Sequence, residues 1–73
     1  MTVAREAIAL IINGEQRRFA APLTIAGLIE KLELSGKRIA LERNGEIVPR
    51  GSFAHHSLAD GDRLEIVVAV GGG

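Results

Sequence analysis

The residues best placed to do chemistry are the last three, Gly71-Gly72-Gly73. Lacking a Cβ, glycines enter a channel too narrow for any other residue. Three in extended form reach roughly 10 Å. The expected reactant is the carboxylate of Gly73, which a partner's ATP can adenylate. Anhydride formation then turns a poor acylating group into a good one. The plainer alternative is a frayed terminus with no role. The other pair with chemical potential is His55-His56, as metal ligands or general bases. Adjacent residues point in different directions on a helix or a strand, which is poor geometry for chelation. No Cys and no evident acidic companion completes a set, so we expect no metal site and read the pair as part of a solvated loop.

Side-chain catalysis finds no further support. The chain has no Cys, which removes thiol nucleophiles, disulfides and Cys-based metal cages together. Neither a G-x-S-x-G elbow nor a phosphate-binding glycine loop is present. Ser35, Ser52 and Ser57 fall in expected turns. Asp60 and Asp62 flank Gly61 and read most simply as turn formers. No catalytic side chain is expected.

Those glycines need a scaffold, and 73 residues allow one small domain. Hydrophobic residues make up 47% of the chain, with Phe19 and Phe53 as the aromatics, so stability must come from aliphatic packing. Nine basic residues balance nine acidic ones, and a single-strand binder would want aromatic platforms that this chain lacks. We expect no nucleic-acid partner. The apolar runs are too short to span a bilayer. The start of the chain has neither the basic region nor the cleavage site of a signal peptide. The expected location is the cytoplasm.

The elements follow from local pattern. Ile8 to Ile12 is continuously apolar and suits a strand, Asn13-Gly14 signals a tight hairpin, and Gln16 to Ala20 is its return. Thr24 is placed to cap a helix in which Ile25, Leu28, Ile29 and Leu32 share one face. Ser35-Gly36 is expected to end it, with Gly36 left-handed. Gly27 inside the helix costs about 1 kcal/mol relative to Ala. Ile39 to Glu42 reads as a third strand, Asn44-Gly45 as a turn, and Ile47-Val48 as a short strand ended by Pro49. Arg43 breaks the alternation, since it would share a face with Ile39 and Leu41. Ser52 to Leu58 is a helical turn or a loop. Residues 63–70 form the last strand, with Leu64, Ile66 and Val68 alternating with Glu65, Val67 and Ala69.

The predicted class is α+β: a mixed sheet with one main helix packed across one face. The two most apolar strands, the first and the last, should lie adjacent and parallel at its centre. Residues 1–70 form the domain and 71–73 a flexible tail. Val67 and Ala69 then face the uncovered side of the sheet. They are either scattered exposed apolar residues or part of a partner-docking patch.

Taken together these features resemble the ubiquitin-like sulfur carriers with a β-grasp fold, and most closely the ThiS family of thiamin biosynthesis. The resemblance rests on Ile12-Asn13-Gly14-Glu15, on Leu23-Thr24-Ile25 entering the helix, and on Asn44-Gly45-Glu46-Ile47-Val48-Pro49-Arg50. Leu58-Ala59-Asp60-Gly61-Asp62, the apolar last strand and the terminal glycines complete it. It implies a protein co-substrate rather than an enzyme. An E1-like, ThiF-like adenylyltransferase would activate Gly73 using ATP and Mg²⁺, with Gly71 and Gly72 entering its active site. A persulfide donor would leave a thiocarboxylate, and a ThiG-like thiazole synthase would take the sulfur. No bound cofactor is implied, and the free protein is expected to be a monomer. The alternatives are the small subunit of molybdopterin synthase, a carrier for tRNA thiolation or protein modification, and an interaction module with an inert tail.

Overall fold

A computed structural model describes residues 7–69. Strand β1 (Ala7–Ile12) and strand β2 (Glu15–Ala20) form an antiparallel hairpin, with Ile12 opposite Glu15. Asn13-Gly14 makes the turn, both at positive φ (52° and 84°), which a type I′ hairpin demands. Helix α1 (Ile25–Lys31) returns the chain along the sheet. Strand β3 (Ile39–Arg43) and the two-residue strand β4 (Glu46–Ile47) form a second hairpin around Asn44-Gly45. Strand β5 (Arg63–Val68) closes the sheet, whose order is β2-β1-β5-β3-β4. β1 and β5 are adjacent and parallel, as expected from their apolar character.

Thr24 caps α1, its hydroxyl accepting from the Gly27 N–H at 3.0 Å. Gly27 has a packing reason: a Cβ there would lie 3.1 Å from Leu23 Cδ1 and 3.4 Å from Thr24 Oγ1. The other end differs from the sequence expectation. Glu33 N–H bonds the Glu30 carbonyl and Leu34 N–H bonds the Ile29 carbonyl, at 3.0 and 2.9 Å. These are the paired bonds of a Schellman cap. The left-handed residue is therefore Glu33 (φ 60°), not Gly36, which serves a later turn. Burial of Leu34 against the core, one residue on, draws the chain into this earlier stop.

The core lies between α1 and one sheet face. Leu10, Ile25, Leu28, Leu41 and Leu64 are its fully buried side chains. Arg50–His55 forms a 3₁₀ helix after Pro49 and delivers Phe53 to this core. Its exit is tied to α1, with Ile25 N–H donating to the His56 carbonyl at 3.0 Å and Leu58 N–H to the Leu23 carbonyl at 2.8 Å. Two expectations shift by a residue or two. Val48 is buried beyond β4 instead of within it, and Val68 is 39% exposed although it shares a face with Leu64 and Ile66. The helix ends at Lys31, too early to cover Val68. Among the described residues no helix is long and apolar enough to cross a membrane.

Candidate functional site

β5 carries the chain out of the middle of the sheet. β3 accompanies it in register from Arg43 opposite Leu64 to Ile39 opposite Val68. One residue further, the Ala69 N–H donates to the Arg38 carbonyl at 2.8 Å. The strand is thus held by backbone hydrogen bonds up to Ala69, the last described residue. The expectations attached to Gly71, Gly72 and Gly73 concern residues outside those described, as does the expected extension of the strand to residue 70.

Beside that exit lies the sheet face opposite α1. Val67 is 63% exposed and Ala69 is exposed, as the alternation predicts. Register places Ala40 opposite Val67 and Glu42 opposite Glu65. Ile47 pairs with Glu42, so it points to the same face, and it is 76% exposed. The sequence reading missed Ile47 as part of this patch. Within β4 alone two residues give no alternation, and only the pairing with β3 reveals the face. The result is an apolar surface of Val67, Ala69, Ala40 and Ile47 interrupted by two carboxylates.

Asp62 proved more than a turn former. It is 8% exposed and lies where β3 meets β5. Its Oδ2 accepts from the Ala59 N–H at 2.8 Å and from Arg43 Nε at 2.9 Å, and its Oδ1 from the Asn44 amide at 3.1 Å. Burial alone would push this carboxyl up. The Ala59, Asn44 and Arg43 hydrogen bonds and the Arg43 charge outweigh that and hold it below the usual carboxylate range. Asp60 anchors β1, accepting from the Ala9 N–H at 2.7 Å. The signal in the sequence was Arg43 itself, a charge at an inward position that requires a buried partner. This network is structural: it ties β3, β5 and the preceding turn together, at the opposite end of β5 from the glycines.

His55 is exposed at the end of the 3₁₀ helix and His56 is half-buried beside it. Among the described residues no group of three or more His, Cys, Asp or Glu side chains converges on a possible metal position.

One helix packed across a five-stranded mixed sheet, with β1 and β5 parallel at its centre, defines a β-grasp domain of the ubiquitin-like class. A crystal structure of the thiamine biosynthesis protein (ThiS) from Geobacter metallireducens superposes with a TM-score of 0.77 at 29% identity, covering 90% of this chain and 100% of that one. Residues 10–73 match the ThiS family, and the chain belongs to that family. The sulfur carrier protein ThiS of Bacillus subtilis is 40% identical over 65 residues, covering 88% of this chain and 98% of that protein. A thiazole synthase from Paramagnetospirillum magneticum is 48% identical over 64 residues, 88% of this chain; the chain spans only 20% of that longer protein.

Proposed function

We propose that this chain carries sulfur for thiazole formation in thiamin biosynthesis, on the carboxylate of Gly73. The observation that carries the reading is the family match over residues 10–73, which runs through all three glycines. In this reading the chain is a protein co-substrate and does no catalysis of its own. The Gly73 carboxylate attacks the α-phosphorus of ATP in an E1-like adenylyltransferase, and pyrophosphate leaves. Hydrosulfide then attacks the acyl adenylate and expels AMP; alternatively a persulfide does so, giving an acyl disulfide whose S–S bond a thiol reductant cleaves, the donor leaving as a disulfide with that thiol. The product is a C-terminal thiocarboxylate. Without any Cys, the chain has no side-chain thiol on which sulfur could ride instead.

The domain supplies presentation. β5 fixes the start of the tail, and the open face at Val67 and Ala69, with Ile47, docks on the activating enzyme. Gly71 and Gly72 pass through its channel. The thiazole synthase of Paramagnetospirillum magneticum contains a stretch 48% identical to this chain, which supports a thiazole synthase as the sulfur acceptor over a molybdopterin enzyme. The reading places the protein in the cytoplasm, where ATP is available.

The test is the intact mass of the protein after incubation with ATP, Mg²⁺, an activating enzyme and sulfide. Replacement of one oxygen by sulfur, placed by fragmentation on the final residue, is the expected result. Deleting Gly73, extending the chain beyond it, or replacing Gly72→Val should abolish the gain without changing thermal stability. Equal gain by the deleted and extended variants would rule out Gly73 as the site.

A further inference from the structure

β5 is flanked unequally. β3 follows it as far as Val68, whereas β1 pairs only with Arg63 and Leu64. The first hairpin turns away at Asn13 before Ile66 is reached. The Asn13 N–H still reaches the Leu64 carbonyl at 2.9 Å, and among the described residues that is the last main-chain bond from this hairpin to β5. The Asn13 side chain then takes over. Its Oδ1 accepts from the Ile66 N–H at 2.8 Å, and its Nδ2 donates to the Ile66 carbonyl at 3.1 Å. One carboxamide thus satisfies both backbone groups of one residue, as a neighbouring strand would. On the other side of β5, Arg38 holds Ala69 three residues on.

We propose that Asn13 is a positioning residue for the tail: its carboxamide stands in for a missing strand, sets the direction in which β5 leaves the sheet, and so aims Gly73 at the partner's reacting centre. The inference rests on the proposed function for its consequence, though not for its geometry. A turn alone would need only the left-handed backbone at Asn13, which glycine also supplies. The two bonds to Ile66 are an addition that hairpin formation does not require. They act on the last stretch of β5 before the glycines. A shift of about 1 Å in the placement of a reacting group can cost on the order of a hundredfold in rate.

Asn13→Gly keeps the turn and deletes both bonds. Asn44→Gly is the matched control. Asn44 also precedes a glycine at φ 52°, and its side chain also makes two bonds, to the Arg63 N–H at 3.0 Å and to Asp62 at 3.1 Å. Those bonds hold the opposite end of β5. Two measurements are made on the full chain: residual dipolar couplings of the Val67, Val68 and Ala69 N–H vectors, and kcat and KM of sulfur loading by the activating enzyme. Asn13→Gly should reorient the three vectors and lower kcat roughly tenfold to a hundredfold, with KM changed by less than about twofold. Asn44→Gly should lower thermal stability at least as much while leaving vectors and kcat as in the wild type. Unchanged vectors or unchanged kcat in Asn13→Gly would overturn the inference, as would an equal loss of kcat in Asn44→Gly. If the wild type gains no sulfur, the proposed function falls, and the dipolar couplings alone decide whether Asn13 sets the exit direction.

Discussion

The Arg43 guanidinium lies 2.7 Å from the Asp62 carboxylate, across the junction of β3 and β5. Arg43 occupies an inward position of β3, where Ile39 and Leu41 pack on the core. A lone guanidinium there would be costly, and so would a lone carboxylate at Asp62. Together with Asn44 and the Ala59 N–H they satisfy one another, and no buried side-chain nitrogen or oxygen is left unpaired among the described residues.

This pair sets an acid limit on stability. The folded Asp62 carboxyl titrates below its unfolded value, so its contribution is fully present above about pH 4 and is lost as pH falls through the folded value. Asp62→Asn should cost about 2 kcal/mol at neutral pH. For a domain of this size that is a drop in Tm on the order of 10 °C. Melting curves from neutral pH to below pH 4 should show a shallower loss for the variant than for the wild type. Parallel curves would show that Asp62 does not carry this acid sensitivity.

Glu33 is the left-handed residue of the helix cap, at φ 60°. A side chain costs about 1 kcal/mol in that conformation, part of which the freer unfolded glycine offsets. Glu33→Gly should therefore raise stability by up to about 0.5 kcal/mol, and Gly36→Ala, at φ 82°, should lower it. Chemical denaturation of both variants checks the pair of signs. A destabilised Glu33→Gly would contradict the assigned cap.

Docking on the open face makes a separable claim. Val67 is 63% exposed, so Val67→Arg should leave Tm nearly unchanged. If the face contacts the activating enzyme, KM for the carrier should rise about tenfold or more, the scale of a central interface residue. An unchanged KM, with circular dichroism showing a folded domain, removes this face from the interface.

The strands were legible because their signals are local. Asn13-Gly14 and Asn44-Gly45 dictate turns whatever surrounds them, and the alternation from Leu64 to Val67 assigns faces without reference to any neighbour. The helix start was legible for the same reason, in Thr24 and the spacing of Ile25, Leu28 and Ile29. Its end was not. The stop at Glu33 depends on Leu34 finding the core, a tertiary contact that overrides the glycine three residues later. Likewise both asparagines read as turn formers, while their carboxamides reach β5 across long stretches of sequence. Asp62 looked like a turn residue until its partner Arg43 was seen beside it. At the candidate site, the exposure of Val67 and Ala69 could be read from period two, but Ile47 needed the register of β3 against β4.

The brevity of β4 has a consequence of another kind. A sheet's outermost strands offer unpaired N–H and C=O groups on which a second molecule can build. Here one border is β4, two residues long and followed by Pro49, which has no N–H to offer. The other is β2, whose Glu15, Gln16, Arg17 and Arg18 are all exposed. Neither border is a good template for self-addition into aggregates. A domain with an exposed apolar sheet face is thereby guarded at both flanks against edge-to-edge pairing with its own copies.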